Sequence, residues 1–228
     1  MIHNYIKTLD KEKILNIYRN KYIEYILEIN TDYWDSHKVI FNKLTLDNKD
    51  IKILDVGTWF GFIPAMLNHH GFKHVTCTDC NDQTGPEINE LKNLWNFLNI
   101  SPFELKINPL EKFTLPETYD LILLTKSNVY WKCDDVVCFH ENELHTQWQV
   151  IGKDNKPWTF FVVWNSNEWE FFIDNLKEYL NPNGIAVIQP SPFVYNWKPE
   201  KYKKELTVIN KHKFVELGLD SYFIVENA

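Results

Sequence analysis

Residues 51–82, reading IKILDVGTWFGFIPAMLNHHGFKHVTCTDCND, restrict the fold more than any other part of the chain. An apolar run (Ile51, Ile53, Leu54, Val56) carries Asp55 near its end and passes into Gly57-Thr58-Trp59-Phe60-Gly61. A helical pattern through Phe62, Ala65 and Met66 follows and is stopped by Gly71. A second β-like run, His74 to Thr78, then ends in Asp79. Strand, glycine loop, helix and strand in this order put a nucleotide-binding crevice at the carboxyl ends of parallel strands. Gly57 lets the chain leave the first strand through angles a Cβ forbids, and brings main chain against a ligand. Gly61 lets the helix start pack close to the sheet. Asp79 lies 22 positions past Gly57, about where an acidic side chain accepts both hydroxyls of a ribose. Trp59 stands where the dinucleotide fingerprint has its middle glycine, so a pyrophosphate would be poorly cradled. An acid two residues ahead of the first glycine also suits a cationic, phosphate-free ligand. The plain alternative is a buried core strand and nothing more.

On these residues the chain resembles the class I S-adenosylmethionine-dependent methyltransferases. LDVGTWFGF is similar to their first motif, hydrophobic-hydrophobic-Asp/Glu-x-Gly-x-Gly-x-Gly, with Trp59 in place of the second glycine. CTDC resembles the acidic end of their second strand, and FELKINPLEKFTLPETYD, LILLTKSN and LKEYLNPNGIAVIQ keep the family's later order. The resemblance covers roughly residues 45–192. It implies S-adenosylmethionine as cofactor. Asp55 would organise the loop and help hold the cofactor's amino-acid end, and Gly57, Thr58, Trp59 and Gly61 would form its floor. Asp79 would bind the ribose with Cys80 at the rim. Asn108, with Pro109 and Leu110, takes the place where the family contacts adenine. Thr125 and Lys126 would close the methionine side.

Composition agrees with one enzyme domain. A chain of 228 residues with 44% hydrophobic content buries a substantial core and is not disordered. A net charge of −7 argues against a nucleic-acid partner, because phosphate neutralisation needs clustered Lys and Arg. No apolar run approaches membrane-spanning length, and MIHNYIKTLDKEK has no signal-peptide core. A soluble cytoplasmic protein without a membrane partner is expected. The cysteine pairs Cys77/Cys80 and Cys133/Cys138, near His140 and His145, have some metal-like spacing. Cys77 lies inside the second strand, however, where alternation turns it to the core, and reduced thiols without a metal are expected.

The organisation is a single domain over 1–228, with an N-terminal helical cap over 1–48 and a substrate-side insertion over 130–165. Residues 10–30 carry Ile14, Leu15, Tyr18, Tyr22 and Ile26 at helical spacing. A second helical piece spans about 34–45, and another helix runs from Gly85 to Leu98 with Leu91, Leu94 and Trp95 inside. Strands are expected near 103–107, 120–125 and 185–189. A helix over about 166–180 opens at Ser166 and closes at Asn181-Pro182-Asn183-Gly184. The alternation implies an α/β fold: a doubly wound, mostly parallel seven-stranded Rossmann-like sheet with helices on both faces. The C-terminus reads either as an antiparallel hairpin or as a helix to about Leu217 followed by one strand.

Arg19 is the only arginine among 24 basic residues. A retained guanidinium suits a bidentate grip on a carboxylate that lysine cannot imitate. It is expected to reach the cofactor crevice from the N-terminal helix, or else to be an ordinary surface charge. The segment from Thr125 to Trp169 is dense in aromatics, among them Trp131, Trp148 and Trp158, and carries His140 and His145. Aromatic walls stack on rings and cations and exclude water, which favours methyl transfer. Trp131, Trp148 and Trp158 are the expected acceptor-binding residues, and His140 and His145 the candidate bases on an acceptor hydroxyl; simple lid packing is the competing reading. SNVYW lacks the prolines of the family's amino-methylating signature. His69-His70, closing the helix before Gly71, suits a contact with that helix's C-terminal dipole better than a metal. The expected function is methylation of a small-molecule acceptor at oxygen. A non-catalytic cofactor-binding module, or an aminopropyltransferase on the same fold, is the alternative.

Overall fold

The structure, a computed structural model, describes residues 1–19, 21–28, 31–44, 46–79, 86–105, 107, 112–125, 148–151, 157–160, 166–189, 213–215 and 222–226. Four helices come first: α1 (Ile2–Thr8), α2 (Lys11–Ile17), α3 (Lys21–Ile26) and α4 (Asp32–Lys43). The strand–helix alternation follows: β1 (Lys52–Val56), α5 (Phe62–His69), β2 (His74–Asp79), α6 (Pro86–Phe97), β3 (Phe103–Glu104) and β4 (Tyr119–Thr125). The remaining elements are β5 (Trp148–Ile151), β6 (Pro157–Phe160), α7 (Ser166–Lys177), β7 (Leu180–Gln189), β8 (Lys213–Val215) and β9 (Tyr222–Glu226). Seven strands form one sheet in the order β3-β2-β1-β4-β7-β9-β8, and β5 and β6 form a separate antiparallel pair. Parallel neighbours cannot be joined by tight turns, so each connection needs a crossover, which α5 and α6 supply.

The chain divides into two compact units: Met1–Leu105 with Leu121–Leu123, and Lys106–Asp120 with Leu124–Ala228. In the first unit β1 lies between β2 and β4, with Asp55 paired to Cys77 on one side and Leu123 on the other. A central strand of this kind has no solvent face, which explains its continuous apolar run. Ile53, Leu54 and Val56 are buried with it. On α5 the first six residues, Phe62 to Leu67, are all buried. The N-terminal helices contribute Ile6, Ile14, Ile23, Trp34 and Ile40 to the same core.

Helix capping and packing explain where these helices stop. Asp10 caps α2 by accepting the Lys13 amide at 3.0 Å. The segment read as one helix over 10–30 is two, because Tyr18 turns extended (φ −141, ψ 112). Its ring meets Phe60 edge-on at 5.5 Å. No glycine or proline marks the break; tertiary packing overrides a continuous helical pattern.

In the second unit β4 begins against the end of α7. The Tyr119 amide donates to the Tyr179 carbonyl at 2.8 Å. Asn175, buried on α7, accepts the Phe113 amide at 3.0 Å, and the Tyr179 hydroxyl donates to the Phe113 carbonyl at 3.1 Å. Helix α7 ends at Lys177, ahead of the expected Asn181–Gly184 stop, and those four residues lie inside β7. Asn183 there has φ 63, so the turn chemistry is present as a local kink at the start of the strand. Strand β3 covers only Phe103–Glu104 of the expected 103–107. At the C-terminus β8 and β9 pair antiparallel, Phe214 opposite Phe223, and β9 pairs antiparallel with β7. The hairpin reading holds and the helix-plus-strand reading does not.

Candidate active site

Two neighbouring parallel strands carry carboxylates near their carboxyl ends, Asp55 next to last on β1 and Asp79 last on β2, and the loop after the first ties itself to the end of the second. The Gly57 amide faces Thr78 Oγ1 at 3.3 Å, and the Thr58 amide donates to the Thr78 carbonyl at 2.8 Å. The Trp59 amide donates to Asp79 Oδ2 at 2.8 Å. Gly61 donates to the Thr58 carbonyl at 2.9 Å and starts α5 with φ 84. From α6, Trp95 Nε1 donates to the Trp59 carbonyl at 2.6 Å. Asp55, Gly57, Thr58, Trp59, Gly61 and Asp79 therefore lie in one local arrangement.

Its electrostatics are dominated by carboxyl groups withdrawn from water. Asp55 is 3% exposed. Burial raises its carboxyl to about 7, the nearby Asp79 adds to this, and the Thr58 hydroxyl acts in the opposite direction. That hydroxyl is not aligned as a formed bond: its oxygen is buried and has no hydrogen-bond partner among the described residues. Burial also lifts the Tyr33 phenol well above its usual range, and Asp55 and Tyr5 reinforce the shift. The Cys77 thiol is pushed up to about 12 by burial, with Asp55 next in weight. It is an inert core thiol, as its strand position implied. Asp79 is half-buried at the carboxyl end of β2.

The N-terminal helices meet this loop through aromatic rings. Tyr18 stands against Phe60, and Trp34 on α4 meets Phe62 edge-on at 6.4 Å. Trp34 Nε1 donates to the Ile26 carbonyl at 2.5 Å. Sequence reasoning missed these as site residues. Tyr18 and Trp95 appeared only as inward-facing helix positions, and nothing in the sequence marked Tyr33.

Other expected positions fall elsewhere. Arg19 is exposed just beyond the end of α2 and is not on a helix. Thr125 is buried at the end of β4, in the second unit. Trp148 and Trp158 lie on β5 and β6, whose backbones pair Val150 with Trp158 and Trp148 with Phe160. Cys80, Asn108, Pro109, Leu110, Lys126, Trp131, His140 and His145 lie outside the described residues. At the far end of α5, His69 sits in the last turn as expected, while His70 Nε2 contacts the Met1 carbonyl at 2.9 Å.

No protein-family model and no curated protein matches the chain. Solved structures do. The N-methyltransferase NodS from Bradyrhizobium japonicum WM9, in complex with S-adenosyl-L-homocysteine, is 14% identical with a TM-score of 0.49, over 95% of this chain and 97% of that one. The ribosomal protein L11 methylase from Lactobacillus delbrueckii subsp. bulgaricus is 12% identical with a TM-score of 0.47, covering 86% and 78%. A methyltransferase from Pyrococcus furiosus is 12% identical with a TM-score of 0.47, covering 84% and 81%. At these identities and scores, neither activity nor substrate carries over from those proteins to this chain. Among the described residues no helix is long and apolar enough to cross a membrane.

Proposed function

We propose that the chain is an S-adenosylmethionine-dependent methyltransferase acting on a small-molecule acceptor at oxygen. One observation carries the reading: two adjacent parallel strands hold carboxylates near their carboxyl ends, and the amides of the loop between them are bonded to the second strand. The residues fit the cofactor. Asp55 is a buried acid that gains a counter-charge from a ligand ammonium, and the buried Thr58 hydroxyl beside it is a ready polar partner. Asp79, fixed through Oδ2 by the Trp59 amide, stands where ribose hydroxyls would approach. When bound, the cofactor supplies an electrophilic methyl group on a sulfonium. The chain's part is to hold that ligand, exclude water and align an acceptor for in-line displacement.

On the acceptor side, Trp131, Trp148 and Trp158 are proposed as the binding wall and His140 or His145 as the base. The proposed cofactor contacts at Cys80, Asn108, Pro109, Leu110, Thr125 and Lys126 stand on the resemblance of the motifs. Calorimetry on the full chain tests the core of the proposal. S-adenosylhomocysteine is expected to bind in the micromolar range, and Asp79→Ala to weaken it at least about tenfold, or about 1.4 kcal/mol. Tight NAD binding with no response to S-adenosylhomocysteine would sink it. Release of S-adenosylhomocysteine on incubation with hydroxylated acceptors then separates an enzyme from a binding module.

A further inference from the structure

On α1 a tyrosine stands where packing asks only for a phenylalanine. Tyr5 is 4% exposed, and its ring lies tilted against that of His69 with centroids 5.5 Å apart. Its hydroxyl is buried and has no hydrogen-bond partner among the described residues. A hydroxyl taken out of water and left unpaired costs stability that a phenylalanine of the same shape avoids. Packing therefore gives no reason for the oxygen, but its polar surroundings do. The Tyr33 phenol on α4 is under the influence of both the Tyr5 phenol and the Asp55 carboxyl. Thr58, in the loop after β1, acts on the same carboxyl, and its buried hydroxyl also has no partner among the described residues. Hydroxyls from α1, α4 and the loop thus form one buried polar cluster with Asp55.

We propose that Tyr5 and Tyr33 are positioning residues for Asp55, a reserve pair of donors engaged when that side chain is a carboxylate. The protonated acid brings its own donor, whereas the carboxylate is acceptor-only and, away from water, depends on neighbouring hydroxyls. Thr58 supplies one from the loop. Tyr33 supplies a second, and Tyr5 donates to the Tyr33 oxygen, which makes that phenol a stronger donor in turn. Both phenols suit this use. Burial holds their protons above the usual phenol range, and the Asp55 charge strengthens the hold on Tyr33. The remaining titratable neighbours supply no such donor: Asp79 opposes a second negative charge, and burial keeps the Cys77 thiol neutral. His69 meets the Tyr5 ring, and His37 contacts the Tyr33 carbonyl through Nδ1 at 2.6 Å. The donor pair is independent of the methyltransferase reading, because it acts on Asp55 whichever ligand the loop takes.

The test follows the protonation of Asp55 in the full chain by NMR of its carboxyl carbon, with no ligand added. The midpoint is expected to move upward by at least about half a unit in Tyr5→Phe and further in Tyr33→Phe, because each change removes a donor from the charged form. Denaturant unfolding across pH gives the second reading. At pH of about 4 Asp55 is protonated, and Tyr5→Phe is expected to be at least as stable as the parent, having shed an unpaired hydroxyl. Its relative stability is expected to fall as pH rises past about 7, where only the parent keeps the donor. In an Asp55→Asn background the effect of Tyr5→Phe is expected to be the same at every pH. A purely structural hydroxyl would change stability equally at all pH and leave the midpoint where it was, and that result overturns the proposal. So does a pH-dependent loss that persists in the Asp55→Asn background, which would trace the titration to another group such as His69. Tyr5→Phe decides the matter alone if Tyr33→Phe does not fold. A chain that fails to bind S-adenosylhomocysteine changes none of these outcomes, so the two readings fail separately.

Discussion

Gly61 and Gly71 share a backbone conformation, φ 84 in each, but not an environment. A Cβ built on Gly61 would lie 2.0 Å from Ile100 Cδ1 and 3.2 Å from Trp95 Cδ1, whereas one on Gly71 meets nothing within 4 Å. Ile100 and Trp95 are both buried, so the clash cannot be relieved by swinging a side chain into solvent. Gly61→Ala is therefore expected to cost roughly 2–4 kcal/mol, conformational strain plus overpacking. Gly71→Ala should cost only the strain, about 1 kcal/mol. Denaturant unfolding of the two variants measures both, and equal losses would show that the packing around Gly61 is not what fixes that residue. Gly61 was legible as a close-packing position because a glycine opening a helix beside a strand has few other reasons to be there. Trp59 was not: nothing in a tryptophan's identity signals a left-handed angle, and the bonds to Asp79 and from Trp95 that hold its backbone come from residues remote in sequence.

At the scale of elements, the strands were easier to read than the helix ends. Fully buried parallel strands such as β1 advertise themselves as apolar runs, and Asp55 stood out within it for the same reason. Helix boundaries depend on partners remote in sequence. The break at Tyr18 follows from its seat on Phe60, and the end of α7 at Lys177 from the hand-over of the Tyr179 carbonyl to β4. Asn175 shows the same dependence. It sits among the buried Phe172, Ile173 and Leu176 of α7, and its side chain exists to satisfy the Phe113 amide. Asn175→Leu should fit the apolar surroundings yet leave that amide unpaired, at an expected cost of about 1–3 kcal/mol. A leucine variant as stable as the parent would mean that the Phe113 amide finds water or another acceptor.

For the whole molecule, the alternation of strands and helices foretold the mostly parallel sheet, and the C-terminal pattern foretold its closing hairpin as one of two readings. The proposed acceptor residues rest on a composition of aromatics and histidines alone, which follows no helical or strand period. The site's clearest whole-molecule signature is its response to pH. The chain carries 31 acidic residues, and surface acids such as Asp50, held low by its bond to Lys73 at 2.6 Å, favour the fold as pH rises. Exposure screens that pair heavily. Asp55 acts in the opposite direction and is buried. Its carboxyl, raised from 3.8 to about 7 by burial, takes up its proton more readily in the folded chain than in the unfolded one. Stability from this group is fully present below pH of about 4, is lost as pH rises to about 7, and is level beyond, amounting to roughly 4 kcal/mol at most. Asp55→Asn should accordingly match the parent's stability near pH 4 and exceed it increasingly up to pH of about 7. A ligand ammonium beside Asp55 would restore its ordinary acidity, so S-adenosylhomocysteine binding near pH 6 should release up to about one proton. Calorimetry in buffers of different ionisation enthalpy would show this release in the parent and not in Asp55→Asn. A stability difference between the two proteins that is constant from pH 4 to 8, or a binding enthalpy indifferent to buffer, would mean that Asp55 is ionised throughout and that its burial does not prepare the site for a cation.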